Sequence, residues 1–252
     1  MIFKKKILGV ILCRSDSRRL KNKIFRKVNN KPILEILIIN LKNIKYLDNL
    51  VIAYPKNDPK EKLIKKLAKK YSVQTYYGKK NNVLDRLIKS SKNFEYDFLL
   101  RLNADNPFMS RKILKLSLKN MIKGKFDLST YAFSKTIPFG LGTVIFKKTT
   151  LNRIQKATKD RKYLEHVENY CFVKRKLFKI HNQEIKNNVF YFLNCSIDEP
   201  GDLVRVKKIF KSNFKDGLIQ VNSYAKKMSY EDKAKEMKVD ILKKIKNKNK
   251  YN

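Results

Sequence analysis

Ile7-Leu8-Gly9-Val10-Ile11-Leu12-Cys13 is an unbroken apolar run, and it stops at the polar stretch Arg14-Ser15-Asp16-Ser17-Arg18-Arg19-Leu20-Lys21-Asn22-Lys23. A short apolar run without alternation suits a strand buried on both faces, as in a parallel sheet covered by helices. The chain beyond it keeps that rhythm. Pro32 opens a helical pattern that runs to Leu41, with proline in the first turn, where its missing N–H does no harm. Leu50 to Tyr54 reads as a second strand, and Asp58-Pro59 starts a helix through Tyr71. Val73 to Tyr77 reads as a third strand closed by Gly78, Val83 to Ser91 as a helix, and Asp97 to Leu102 as a fourth strand. Strands alternating with helices predict βαβ units and an α/β fold.

The pattern changes near Phe126. Asp127 to Phe133 and Gly142 to Lys147 are strand-like, separated by Pro138-Phe139-Gly140. Helices are expected from Thr149 to Thr158 and from Tyr163 to Lys176, a strand from Asn188 to Ile197, and a helix from Pro200 to Phe210. With 7 glycines and 6 prolines there is no flexible linker, and no repeat is visible. We therefore expect one domain over residues 1–228 and a Lys-rich helix and tail over 229–252, frayed at its end.

Composition narrows the function. The 252 residues are 42% hydrophobic and 11% aromatic, which excludes wholesale disorder. Sixty Lys and Arg against 22 Asp and Glu give a formal net charge of +38. That balance invites a nucleic-acid reading. The cations are mostly lysines scattered along the whole chain, however, so a solvated basic surface is favoured over a nucleic-acid groove, and an anionic small molecule suits the charge as well. Cys13, Cys171 and Cys195 stand far apart, with only 2 histidines, which disfavours a zinc site or a disulfide framework. The apolar start lacks a cleavage pattern and no run reaches the roughly 20 residues of a membrane span, so a cytoplasmic protein without membrane insertion is expected.

Three segments have the residue types for chemistry at phosphate. Arg14 to Lys23 follows the first strand, at the carboxyl end where open α/β sheets bind ligands. Its guanidinium, ammonium and hydroxyl donors suit a polyphosphate, although a solvated basic loop has the same composition. Arg101-Leu102-Asn103-Ala104-Asp105-Asn106-Pro107 puts Asp105 just past a strand, where a carboxylate reaches a ligand-bound Mg²⁺ or else caps the next turn. Asp198, read as ending a further strand, is a second metal candidate, while Asp202 falls in the first turn of the next helix and is read as structural. Tyr76, Tyr77, Phe94 and Tyr96 are read first as core, with stacking on a base as the alternative.

These segments together resemble the cytidylyltransferase family, which includes the CMP-sugar-acid synthetases and the spore-coat polysaccharide type. Arg14 to Lys23 is similar to its A-R-x-x-S-[ST]-R-L-P-G-K signature, Lys31 to Glu35 to G-K-P-L-[IL]-E, and Asn82 to Arg86 to D-V-L-D-R. Arg101 to Pro107 resembles R-[IL]-T-[GA]-D-C-P, Asp198 to Leu203 resembles D-T-P-E-D-L, and Glu165-His166-Val167 with Tyr170 resembles E-H-V-T-x-Y. The resemblance implies a Rossmann-like nucleotide-diphospho-sugar transferase domain, its mostly parallel mixed sheet flanked by helices. It implies transfer of CMP from CTP to a sugar or sugar acid with release of pyrophosphate, Mg²⁺ as cofactor, and a homodimer, since relatives commonly dimerise. By the matching positions, Arg14, Lys23 and Asp105 are catalytic, and Arg14, Ser17, Arg19, Lys23, Arg101 and Asp105 hold the nucleotide. Glu165 and His166 lie on the substrate side, and Asp105 and Asp198 bind the metal. Cys13 is read as a small core residue.

The chain also departs from the pattern. Asp16 stands where the family has glycine, Lys21-Asn22 replaces Pro-Gly, and Gly140 to Phe146 loses both acids of G-L-D-V-E-V-F at Gly142 and Val144. Asn22 tolerates a left-handed backbone, and Asp16 needs a cationic partner beside a triphosphate. A nucleotide-sugar glycosyltransferase, a catalytically altered relative of this fold and a basic nucleic-acid-binding protein are the alternative readings.

Overall fold

The apolar run forms strand β1 (Ile7–Leu12) at the heart of the sheet, and its successive side chains enter two different cores. Ile7 and Ile11 join Ile52 and Tyr54 of β4 (Asn49–Pro55) under helices α1 (Ile33–Lys42) and α2 (Glu61–Lys70). Leu8 and Val10 join Val51 and Ala53 on the opposite face, covered by α3 (Val83–Ser90) and α5 (Lys148–Ala157). Leu34, Leu37 and Ile38 of α1 are fully buried, each contributing about 1.5–3 kcal/mol. In this computed structural model, residues 5–134, 136–185, 192–210 and 216–237 are described.

The main sheet has seven strands in the order β5-β4-β1-β6-β8-β7-β9, with β5 (Gln74–Gly78), β6 (Phe98–Asn103), β7 (Leu128–Thr130), β8 (Val144–Lys147) and β9 (Ile180–Asn182). Strands β5, β4, β1 and β6 run parallel to one another, while β8 runs antiparallel to β6 and β7. It is a mostly parallel mixed sheet flanked by helices, as the alternation predicts. A small ribbon, β2 (Lys27–Val28) with β3 (Lys31–Pro32), leads into α1.

Several expectations are corrected. Helix α2 begins at Glu61, three residues after Asp58, because the Asp58 carboxylate is turned to the backbone of Lys60 and to Ser15. Helix α4 (Arg111–Gly124) was not foreseen, although Ser110 caps it by accepting from Ile113 N–H at 3.3 Å. The helix expected from Tyr163 to Lys176 is broken at His166, which separates α6 (Arg161–Glu165) from α7 (Val167–Val173). Of the strand expected from Asn188 to Ile197, residues 188–191 lie outside the described residues, and 192–197 is not a strand. Its amides bond outward instead: Cys195 N–H to Phe139 O at 2.8 Å and Ile197 N–H to Asp105 O at 3.0 Å.

Helix α8 (Pro200–Ile209) matches expectation, whereas α9 (Gly217–Lys226) does not appear in the sequence pattern. Both pack into a third core, with Val206, Ile209, Leu218 and Val221 against Leu20, Ile33 and Ile36 of the N-terminal half. Gly217 is needed there, because a Cβ would lie 1.6 Å from the carbonyl oxygen of Phe108. Part of the expected tail helix is present over 230–237, tied back by Glu236 to Arg205 at 2.8 Å. The expected frayed end, 238–252, lies outside the described residues. No helix among the described residues is long and apolar enough to cross a membrane.

Candidate active site

The loops that leave β1, β4 and β6 meet at the carboxyl edge of the sheet. Two backbone bonds fix their starts, Cys13 N–H to Ala53 O and Ala104 N–H to Leu12 O, both 3.0 Å. Buried Asp58 then anchors the Arg-rich loop, accepting from Ser15 N–H at 2.9 Å and Ser15 Oγ at 2.5 Å. Sequence reading did not single out Asp58; its only signal was an acid before proline at a helix start. The loop ends with Asn22 in the left-handed region, φ 54° and ψ 32°, where the family pattern has glycine. That turn lets the 3-10 turn at Lys23–Phe25 point Lys23 inward.

Lys23 is only 7% exposed, and its Nζ donates to Asp105 Oδ2 at 2.5 Å and to Asp198 Oδ1 at 2.9 Å. Three residues from three distant parts of the chain thus converge. Asp105 arrives from the end of β6. Asp198 is delivered by the irregular segment whose Ile197 bonds to the Asp105 backbone. The Asp202 carboxylate fixes the next turn by accepting from the backbone N–H groups of Asp198 and Glu199, each at 3.0 Å, and is itself paired with Arg205 at 2.8 Å. Asp202 is structural, as its place in the first turn of α8 predicts. Burial works against the charge on Lys23, but Asp105 and Asp198 outweigh it and raise its pKa above the ordinary lysine value. Arg19 adds a second cation, 3.0 Å from Asp198 and 3.8 Å from Glu199.

Asp16 has the partner it needs: Lys80, in the loop after β5, pairs with it. That contact outweighs partial burial and lowers the Asp16 pKa, with Arg14 helping. Arg14 is exposed and Ser17 half-buried on the same loop. Arg86 of α3, quoted above only as part of a motif, is buried and donates through Nη1 to the carbonyls of Lys79 and Lys80, both at 2.6 Å. Burial lowers its pKa first, and the charges of Arg14 and Arg101 lower it further, so three arginines build positive potential at this edge. Sequence spacing gave no hint of this convergence.

Arg101 turns its guanidinium to Glu168 of α7, which the sequence reading did not single out. Glu165 is exposed and close enough to act on Arg86, while His166 is half-buried at the break between helices rather than within one. The two lost acids also have structural correlates. Val144 pairs in register with Arg101, so Glu168 supplies the negative partner there. At Gly142 a Cβ would meet the Tyr131 ring at 2.5 Å; the aromatic side chain fills that space. Tyr96 is core, as expected, and exposed Tyr77 stacks on Tyr76. Cys13 is core as well, its thiol pushed up by burial.

Among the described residues no group of three or more His, Cys, Asp or Glu could cage a metal. Two carboxylates sharing one cation do suit Mg²⁺, which keeps several waters and takes further ligands from substrate phosphates. The donor set fits an ion that arrives with a nucleotide.

A basic loop at the carboxyl edge of such a sheet, with a lysine between two acids, suits a protein that handles nucleoside phosphates. The comparisons are specific: residues 8–199 match the Cytidylyltransferase family, and the chain belongs to it. An uncharacterized protein of Methanocaldococcus jannaschii is 33% identical over 175 residues, covering 69% of this chain and 70% of that protein. The spore coat polysaccharide biosynthesis protein SpsF of Bacillus subtilis is 28% identical over 170 residues, covering 65% and 69%. A cytidylyltransferase from Leptospira borgpetersenii superposes with a TM-score of 0.81 at 23% identity, covering 88% of this chain and 94% of that one.

Proposed function

We propose that this enzyme transfers CMP from CTP to a hydroxyl of a sugar or sugar acid and releases pyrophosphate, in the cytoplasm, as a step of cell-surface polysaccharide assembly. The observation that carries the reading is Lys23 held between Asp105 and Asp198 beneath an arginine-rich loop. The acceptor oxygen forms a bond to the α-phosphorus, and the bond from that phosphorus to the oxygen bridging to the β-phosphate breaks. Such a transfer asks the protein mainly for positioning and charge neutralisation.

Arg14, Arg19 and Lys23 are the donors for the triphosphate, with Ser17 beside them. Asp105 and Asp198 would hold Mg²⁺, which supplies charge neutralisation on the phosphate oxygens when bound. Arg101 acts from behind, held against Glu168. Glu165 and His166 lie on the side assigned to the acceptor, and His166 is given a binding role there. The glycan context is supported by the likeness to SpsF. The experiment is a panel of four nucleoside triphosphates with Mg²⁺ and candidate sugar acids, scored by pyrophosphate release. CTP should lead UTP and far exceed ATP and GTP; equal release from all four would overturn the cytidylyl assignment.

A further inference from the structure

We propose that Lys23 is a stand-in for the metal: without nucleotide its ammonium holds Asp105 and Asp198 together, and it surrenders them when it turns to the triphosphate. The inference rests on the metal and phosphate roles proposed above. Two of the cations assigned to phosphate, Lys23 and Arg19, are bonded to the acids assigned to the metal. Lys23 Nζ is 2.5 Å from Asp105 and 2.9 Å from Asp198, and Arg19 is 3.0 Å from Asp198. An ammonium has three donors and no acceptor, and those two carboxylates take two of them. A divalent ion seated on the same two carboxylates would repel the ammonium, so the ion drives Lys23 toward the phosphate oxygens.

The pair of carboxylates explains why such a device is useful. Two acids this close, deprived of a cation, repel each other and repel an incoming triphosphate. Lys23 removes that repulsion before nucleotide binds. Lysine suits exchange better than arginine, being a compact charge on a flexible stem rather than a rigid fork. Two consequences follow. Metal alone must compete with a buried ammonium and binds weakly. Metal and nucleotide together are cooperative, because the phosphates give Lys23 a new partner as the acids pass to the ion, and this coupling is reciprocal.

The test is Mn²⁺ titration of the nucleotide-free protein, reading free ion by electron paramagnetic resonance. Lys23→Met should bind Mn²⁺ at least ten-fold more tightly than the parent, and Asp105→Asn in that background should abolish the gain. Circular dichroism and the thermal midpoint establish that the variants are folded, with Lys23→Gln as the second neutral replacement. A measurement on the parent is independent of both. Mg²⁺ with a non-hydrolysable CTP analogue should shift the buried lysine's Nζ resonance in lysine-labelled protein, while Mg²⁺ alone at the same concentration should not. If parent and Lys23→Met bind Mn²⁺ equally, and Asp105→Asn weakens both, the exchange is wrong and the metal site stands. If no chain binds Mn²⁺ with or without the CTP analogue, the metal reading falls and takes the exchange with it.

Discussion

The two halves of the sheet obey the same physics but differ in how openly they show it. Strands β1, β4, β5 and β6 are five to seven residues long, run parallel to one another and alternate with helices. From β7 to β9 they are three or four residues long, and β8 runs antiparallel to both its neighbours. A long apolar strand has its environment written into its own residues. A three-residue strand depends on neighbours that other parts of the chain bring to it. The proposed active site uses both kinds: Lys23 and Asp105 come from the regular half, Asp198 from the irregular one.

The sharpest way to break this comparison is to remove one acid from each half. Asp105→Asn and Asp198→Asn should stay folded and each lower turnover on the order of 10³-fold or more, since an amide cannot supply the charge that holds the ion. Pyrophosphate release checks it. A folded Asp198→Asn within a few-fold of the parent would show that the irregular half only scaffolds the site.

Next is the anchor of the basic loop. Asp58→Ala leaves the N–H and Oγ of buried Ser15 without their acceptor. Each stranded donor costs about 1–3 kcal/mol, so roughly 2–6 kcal/mol of stability should be lost in urea unfolding. A change below about 1 kcal/mol would mean that water replaces the carboxylate and that the loop is less fixed than the strands it joins.

Within the loop, Arg14→Ala should weaken CTP binding by about 1.5–3 kcal/mol, the value of a charge-assisted contact in a partly desolvated site. Lys66→Ala, on the exposed face of α2, should change affinity far less, because exposed charges are screened within about 10 Å at ordinary salt. Calorimetric titration separates them. Equal losses would mean that the positive charge acts as a diffuse field.

The smallest effect tests the regular half alone. Glu35 of α1 is buried, and its carboxylate accepts from Lys70 Nζ and Tyr71 Oη, both at 2.6 Å. Burial pushes its pKa up, but those two donors outweigh it and hold it below the ordinary glutamate value. A depressed acid contributes stability that is complete above its unfolded pKa of about 4.3 and is lost as pH falls through the folded value. Glu35→Gln should therefore cost on the order of 1 kcal/mol at pH 7 and flatten the acid limb of the stability curve. Thermal midpoints of the two proteins between pH 7 and pH 3 check it; parallel curves would remove Glu35 from the account.

How much could be read in advance follows the same division. Ile7 to Cys13, Ile33 to Leu41 and Val83 to Ser91 announced their elements because each buries a face whose period is local. Helix α4 was missed, although its Ser110 cap was visible. The strand expected at Asn188 to Ile197 was wrong over 192–197, where the amides of Cys195 and Ile197 find carbonyls of other loops instead of a strand neighbour. His166 breaks a helix that side-chain periodicity alone had carried through.

The parallel core, the basic loop after β1 and the candidacy of Lys23, Asp105 and Asp198 are legible along the chain, because composition and order are properties of a line. Folding brings Asp105 and Asp198 onto the one ammonium of Lys23, Lys80 onto Asp16 and Asp58 onto Ser15. It also gathered Arg14, Arg86 and Arg101 at one edge. Those contacts join residues separated by up to 175 positions. No local period records them; they exist only once burial of the three cores has fixed where each loop ends.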